Sequence, residues 1–170
     1  MKKIAIITVI MLSISIAAAG QTTGYLNTEI ILAEVPEYVQ AQQQLERLKS
    51  QYELQLQNEI KIIENLFSRY QSQKPTLSIV EREAKENEII TKERAVKEKQ
   101  QEIFGQEGVM AVKSKELMEP IMDIIQKAVD QVAKENGYLL VLDLASLQGV
   151  IYKDAKIDLT PLVLRKMGLK

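Results

Sequence analysis

Apolar residues recur every three or four positions through the middle of the chain, a pattern that predicts two long amphipathic helices. The first is predicted from Pro36 to Gln73, where no glycine and no internal proline interrupts a heptad-like seam. Pro36 suits the first helical position, because the N–H that proline lacks would have no partner there. The seam comprises Tyr38, Ala41, Leu45, Leu48, Tyr52, Leu56, Ile60, Ile63, Phe67 and Tyr70.

The second long helix is predicted from Ile79 to about Asn136. Ser78 and Glu81 form a capping-box signature at its start, and Asn136-Gly137 is a typical helix stop. Lys74-Pro75-Thr76 separates the two helices. Because a short loop joins them, we expect an antiparallel hairpin with its tip near residues 74–77.

Two glycines and a proline lie inside the second predicted helix: Gly105, Gly108 and Pro120. Glycine costs about 1 kcal/mol against alanine in a helix interior, and an internal proline removes a backbone hydrogen bond. These three residues therefore predict a hinge zone; the alternative is an ordinary loop between two shorter helices. Residues 81–102 are mostly polar, whereas the apolar density beyond Pro120 predicts a buried helix.

The two ends of the chain carry short patterns typical of β-strands. Residues 24–27, 137–143 and 150–153 are rich in branched and aromatic side chains, and they predict three strands. The second strand is apolar on both faces and is expected to be buried on both. A sheet this small is marginal alone and has exposed edges, which predicts oligomerisation without fixing the number of copies.

Two short helices accompany these strands in the prediction. Thr28 is expected to cap one over residues 29–35, and Thr160 to cap one over residues 161–167. The predicted fold is mostly α with a small β-containing body, from which the long helical hairpin projects as an arm. The body comprises residues 21–35 and 121–170, and the arm comprises residues 36–120.

The first twenty residues have the features of a cleaved signal peptide. Lys2 and Lys3 precede an apolar stretch over residues 4–16, and the small residues 17–20 follow it. The apolar stretch is shorter than the roughly 18 to 20 residues that cross a bilayer, although a retained anchor is the alternative. Cleavage would export the chain and lower its formal net charge from −1 to about −3, since both lysines are lost.

Composition excludes several kinds of chemistry. The chain has no cysteine and no histidine, so disulfides, thiol nucleophiles, a Ser-His-Asp triad and His/Cys zinc sites are excluded. Its charge gives no basic footprint for nucleic acid. Glu81, Glu88 and Asp123 lie on predicted long helices without a histidine partner, where solvated faces are their expected role. We therefore expect no catalytic, cofactor or metal site.

The order of these features resembles the Skp/OmpH family of periplasmic chaperones. The resemblance covers essentially all of the chain beyond the signal peptide. Its marks are Gly24-Tyr25-Leu26-Asn27-Thr28 with Ile31, Leu32 and Pro36, then a Gln/Glu/Lys-rich hairpin, Tyr138 to Asp143, Val150-Ile151-Tyr152, and Asp158-Leu159-Thr160-Pro161.

This resemblance implies a jellyfish-like homotrimer in the periplasm, with strands in a central body and three hairpin arms around a cavity. It implies an ATP-independent holding chaperone that binds unfolded outer-membrane β-barrel proteins and prevents their aggregation. The implied partners are these clients and two further copies of the chain, with membrane-surface contact as an additional candidate and no nucleic acid. Basic and acidic residues are nearly balanced along the arm, so client capture is expected to rest mainly on apolar contacts.

Candidate residues follow from these expectations. Clients are expected to contact apolar side chains of the arm: Leu56, Ile63, Leu66, Phe67, Tyr70, Ile89, Ile90 and Phe104. Copies of the chain are expected to meet at Leu26, Ile121, Ile125, Leu140, Leu142, Val150 and Tyr152. Two other functions remain open: a secreted coiled-coil structural or adaptor protein of the cell envelope, and an enzyme using carboxylates alone. The first would need a continuous apolar seam, and the second a concave pocket.

Overall fold

The computed structural model describes residues 23–169, so the predicted signal peptide lies outside the described residues. Helices dominate this part of the chain, and they are accompanied by one small sheet. In chain order the elements are β1 (Thr23–Leu26), α1 (Thr28–Glu34), α2 (Pro36–Gln73), a 3-10 turn (Lys74–Thr76), α3 (Ile79–Phe104), α4 (Val109–Asn136), β2 (Leu140–Asp143), a 3-10 turn (Ala155–Ile157) and α5 (Thr160–Lys166).

The chain divides into two compact units, which are described separately below. The arm unit comprises residues 32–127, and the terminal unit comprises residues 23–31 together with 128–169.

In the arm unit, α2 and α3 form the predicted antiparallel hairpin. Their 38 and 26 residues correspond to about 57 and 39 Å of helix. Lys99 Nζ donates to Glu59 Oε1 at 2.5 Å, and nearer the tip the Tyr70 hydroxyl donates to Glu86. Positions later in α2 thus meet positions earlier in α3, which is the antiparallel arrangement.

The starts of α2 and α3 carry the predicted signals, a proline in the first turn and a capping box. Pro36 occupies the first turn of α2 after Val35. Ser78 forms a complete capping box with Glu81, whose backbone N–H donates to Ser78 Oγ at 3.3 Å while Ser78 N–H donates to Glu81 Oε2 at 2.8 Å. These hydrogen bonds satisfy donors at the helix start and fix the exit from the tip.

The hairpin interface is a narrow heptad seam. Leu56, Ile63 and Tyr70 are buried at seven-residue intervals along α2, and Ile89 and Ile103 are buried on α3 with Val96 half-buried midway between them. The other seam positions predicted near the tip, Ile60 and Phe67, are exposed. Two helices alone can cover only one stripe of each other, so these two side chains remain in contact with solvent.

A single helix from Ile79 to Asn136 is wrong, because residues 105–108 are not helical. The backbone is compact there: Gly105 N–H donates to the Gln101 carbonyl at 2.8 Å, and Gly108 N–H donates to the Gly105 carbonyl at 3.0 Å. The predicted hinge residues are divided by this arrangement. The two glycines lie at the ends of the break, whereas Pro120 lies inside the helix α4.

Alanine in place of both glycines is expected to destabilise the break. A Cβ on Gly105 would lie 2.4 Å from the Gln101 carbonyl oxygen, and one on Gly108 would lie 2.6 Å from the Glu102 carbonyl oxygen. Main-chain atoms cannot rotate away, so Gly105→Ala/Gly108→Ala should lower the free energy of unfolding by about 1–3 kcal/mol. Urea unfolding followed by circular dichroism measures this. A stabilised variant, the usual result of Gly→Ala at a compatible helical site, would contradict the tight break.

In the terminal unit, β1 and β2 form a two-stranded parallel sheet whose register runs from Thr23 opposite Leu140 to Leu26 opposite Asp143. The other edge of β1 is occupied near its end, where Tyr25 bridges Asp158 and the Leu159 N–H donates to the Tyr25 carbonyl at 2.7 Å. The hydrophobic strand before Asp143 and the closing Asp158-Leu159-Thr160 therefore flank the same short strand.

The predicted third strand at residues 150–153 is wrong in this chain. These residues have no regular structure, and Ile151 is fully exposed. The sheet of the described residues ends at β2, and residues 150–153 do not pair with its outer edge. The expectation that the strand at 137–143 is buried on both faces is also wrong, because Leu140 and Leu142 are exposed on one face of β2.

Both predicted threonine caps are wrong as well. Asn27 Oδ1 accepts from the Ile30 N–H at 3.2 Å at the start of α1, and Leu159 precedes the first helical residue of α5. Thr28 and Thr160 instead make long-range hydrogen bonds, and Thr160 is buried in the core of this unit. The most deeply buried residues of that core are Ile31, Leu159 and Val163.

Candidate functional site

A carboxylate at the end of β2 ties the terminal unit together. Asp143 Oδ2 accepts from the Thr28 hydroxyl at 2.6 Å, and its Oδ1 accepts from the Thr28 N–H at 3.1 Å and the Ala145 N–H at 3.0 Å. One side chain thereby fixes the start of α1 and the turn after β2. Aspartates often make such hydrogen bonds to nearby backbone N–H groups where an element ends.

The ionised form of Asp143 is favoured in this position. Partial burial by itself raises the pKa of the carboxyl group, but the hydrogen bonds from Thr28 and Ala145 outweigh it and bring the pKa below its ordinary value. A second polar connection lies beside it, where the Asn27 N–H donates to the Thr160 hydroxyl at 3.1 Å. Together the hydrogen bonds of Asp143 and Thr160 join residues 27–28 to the part of the terminal unit that lies after α4.

Two shallow grooves flank the hairpin seam of the arm unit. The larger, of about 490 Å3, has Ile60, Phe67 and Val96 among its apolar lining. The smaller, of about 220 Å3, is lined on its apolar side by Ile62 and Ala95. Ile63 and Val96 line both grooves, so the seam is thin enough to be reached from two sides.

The rims of these grooves are charged. Glu64, Glu93 and Lys97 border the larger groove, and Glu59 and Lys92 border the smaller. Exposed apolar floors inside mixed-charge rims provide weak, adaptable contacts for apolar side chains, without a strong charge preference.

The tip of the hairpin is held by a small polar cluster. Glu86 accepts from the Tyr70 hydroxyl and lies 3.7 Å from Lys74 Nζ, and that ammonium lies 5.2 Å from the centre of the Tyr70 ring. This cluster closes the end of the seam, because the Tyr70 ring is buried while its hydroxyl is satisfied. Ile79 and Val80 are highly exposed immediately beyond the tip.

Residues 23–169 contain no cluster of three or more acidic side chains placed to hold a metal ion. Within the same residues, no helix is both long and apolar enough to cross a membrane.

Comparison with known proteins decides the family. The sequence profile of the OmpH-like outer membrane proteins matches residues 22–167. The chain belongs to the OmpH-like family. A crystal structure of an OmpH-like protein from Caulobacter crescentus CB15, described as a candidate outer membrane chaperone, is similar with a TM-score of 0.67. The two chains are 13% identical, and the match covers 88% of this chain and 85% of that one, so it shows a shared fold. No curated protein matches this chain significantly.

The structure divides the predicted client-binding residues of this OmpH-like chain by their exposure to solvent. Phe67, Ile90 and Phe104 are exposed and accessible to a partner. Leu66 is half-buried. Four are buried in the hairpin: Leu56, Ile63, Tyr70 and Ile89. One edge of Ile63 still lines the grooves.

Two exposed residues of the arm, Ile60 and Ile62, are not among the client-binding residues that the sequence predicts. Ile60 is a predicted seam residue, and Ile62 lies one position away from one. An apolar residue next to a seam position is the signal that could have identified Ile62, because neighbours on a helix point about 100° apart and cannot both face one partner.

The predicted oligomerisation residues are divided in the same way. Leu26, Ile121 and Ile125 are buried within the chain itself. Leu140, Leu142, Val150 and Tyr152 are exposed, and they are accompanied by exposed Leu139 and Ile151 in the terminal unit. Exposed apolar side chains concentrated in one unit are typical of an interface.

Proposed function

We propose that this OmpH-like chain is an ATP-independent holding chaperone of the periplasm, which binds unfolded outer-membrane β-barrel proteins and prevents their aggregation. The observation that carries the proposal is the pair of shallow apolar grooves on the thin hairpin, in which Ile60, Ile62 and Phe67 are about half exposed. Membership of the OmpH-like family and the shared fold support it.

Shallow grooves suit a protein that must bind many clients and release them without fuel. A contact of this kind buries part of one or two apolar side chains, so each is worth only a few kcal/mol at most. Several arms that act together raise the local concentration of such sites, and this turns weak contacts into effective capture. The same contacts cover exposed apolar segments and strand edges, which would otherwise pair between client molecules.

The proposed assembly is a homotrimer. Exposed Leu140 and Leu142 on β2, together with Val150, Ile151 and Tyr152, form the apolar surface that supports it. A second or third copy would cover this surface, and residues 150–153 could then pair with a strand of a neighbouring copy. Contact of the exposed tip residues Ile79 and Val80 with a membrane surface is a further, separate expectation.

A refolding assay tests the proposed function. Purified chain lacking residues 1–20 is mixed with a urea-denatured outer-membrane β-barrel protein, and light scattering is followed on dilution. We expect aggregation to be suppressed near one trimer per client, without added nucleotide, and sedimentation equilibrium to give three times the mass of one chain. Unchanged aggregation at a severalfold excess would contradict the holding function and favour a structural or adaptor role. A monomer at micromolar concentration would contradict the trimer.

A further inference from the structure

A polar cleft lies in the arm unit between α2 and the beginning of α4, and it shares no residue with the two apolar grooves. It encloses about 530 Å3, with Leu48 as its apolar contribution. No carboxylate is among its lining residues within the part of the chain that the structure describes. Its polar lining consists of Gln40, Gln43, Gln44, Arg47, Gln51 and Lys113; it is called the glutamine cleft below.

Carboxamides give this cleft an unusual binding chemistry. Each glutamine side chain offers two N–H donors and a carbonyl acceptor, the same groups that an unpaired main chain presents. In residues 23–169, Gln43 Oε1 accepts from Arg47 at 3.5 Å, while the exposed carboxamides of Gln40, Gln44 and Gln51 make no hydrogen bond to the protein. These three are therefore available to a ligand.

The spacing of the carboxamides fits an extended polypeptide. Gln40 and Gln44 are four residues apart, about 6 Å along the helix axis, and Gln51 lies a further 10 Å or so along. One edge of an extended chain presents a main-chain N–H and carbonyl every two residues, about 6.7 Å. Flexible glutamine side chains can bridge the difference, so successive turns of α2 match successive positions along one edge of a strand.

We propose that the glutamine cleft binds the main chain of an extended, unfolded client segment, which it recognises by hydrogen bonds independently of side-chain sequence. This inference rests on the proposed holding function, and it adds the client main chain to the apolar side chains that the chaperone binds. Arg47 and Lys113 add a preference for segments that carry a carboxylate, although Lys113 Nζ already lies 3.0 Å from Glu116 Oε2. A glycan is disfavoured as the occupant, because no aromatic ring lines the cleft for a sugar to stack on.

Peptide binding with a methylated probe tests this inference. The probe is a fluorescein-labelled dodecamer of alternating Thr and Val with one central Asp. Its counterpart is N-methylated at alternate residues, which removes the donors along one edge of the chain. The protein is the assembled chain, as wild type, as Gln40→Ala/Gln44→Ala/Gln51→Ala, and as the control Gln55→Ala/Gln57→Ala/Gln71→Ala. The control replaces three exposed glutamines of α2 that lie outside the cleft.

For the wild type and the control, we expect N-methylation to weaken binding about tenfold, the loss of one or two net hydrogen bonds. The cleft variant should bind both peptides equally, at the weaker level, with unchanged circular dichroism and mass. Equal binding of both peptides by the wild type would overturn the inference, as would a cleft variant that still distinguishes them. If the wild type suppresses client aggregation but ignores methylation, this inference fails and the holding function stands. If it distinguishes the peptides without suppressing aggregation, the holding function fails instead.

Discussion

Replacing Asp143 with alanine is expected to lower the free energy of unfolding by about 3 kcal/mol, a large effect for one side chain outside the apolar core. The substitution removes three hydrogen bonds to an ionised group and leaves the Thr28 N–H and hydroxyl without their acceptor. A single bond of this kind is worth roughly 1.5–3 kcal/mol, but Asp143 is only half-buried, so water replaces part of what the three bonds contribute. Because Thr28 begins α1 and Asp143 ends β2, both elements of the terminal unit lose an anchor. Chemical unfolding followed by circular dichroism measures the loss.

Two further variants separate the role of Asp143 from general perturbation. Thr28→Val keeps the shape of the side chain but removes the hydroxyl, so it should cost about 1 kcal/mol, less than Asp143→Ala. Asp123→Asn changes an exposed aspartate on α4 and should stay within about 0.5 kcal/mol of the wild type. If Asp143→Ala were as mild as Asp123→Asn, the carboxylate would not hold the unit together.

The stabilisation from Asp143 should depend on pH in a defined direction. Burial raises the pKa of its carboxyl group, the hydrogen bonds from Thr28 and Ala145 more than offset this, and the folded pKa is therefore lower than the unfolded value near 3.9. A group of this kind stabilises the folded chain fully above the unfolded pKa and loses that contribution as pH falls through the folded pKa. The stability difference between wild type and Asp143→Asn should thus be constant at neutral pH and shrink below about pH 4.

The sequence contained most of the information needed for the helices. The proline at position 36, the seam that follows it and the capping box at Ser78 are local signals, so both ends of α2 and the start of α3 could be predicted within a residue or two. The end of α3 at Phe104 could not, since the predicted helix continues to Asn136. The glycines at 105 and 108 marked a weak point, but helix propensity alone could not tell a bend from a complete break. That outcome depends on close main-chain contacts such as the one between Gly105 and Gln101.

The contacts of the terminal unit could not be predicted in the same way. Thr28 and Asp143 are separated by 115 residues, and Asn27 and Thr160 by 133, so no local pattern reveals that they meet. Each threonine was assigned to the cap that its position suggested, whereas tertiary hydrogen bonds decided its role. The prediction of a strand at 150–153 failed for a related reason, since a strand pattern marks residues that can pair but not whether the fold brings them to an open sheet edge.

The grooves of the arm lead to the second large effect. One side of each of the groove residues Ile60, Ile62 and Phe67 faces solvent. Glutamine at these positions should therefore preserve the helical structure and remove exposed apolar surface without disturbing the packing of the seam. Half-burial of three such side chains by a client is worth about 2–4 kcal/mol for each arm. Several arms bind one client together, so the losses in binding free energy add up over the arms. Loss of these contacts should therefore weaken client binding far more than tenfold.

In the refolding assay described above, we therefore expect the groove variant Ile60→Gln/Ile62→Gln/Phe67→Gln to suppress aggregation only at a protein concentration at least tenfold higher than the wild type needs. The matched control is Val39→Gln/Leu54→Gln/Val112→Gln, which removes three similarly exposed apolar side chains of the arm unit outside the two grooves. Both variants should keep the helix content and the mass of the wild type. Equal loss of suppression in both would mean that clients bind exposed apolar surface anywhere on the arm. Full suppression by the groove variant would remove the grooves from the mechanism and leave the glutamine cleft as the surface proposed to hold clients.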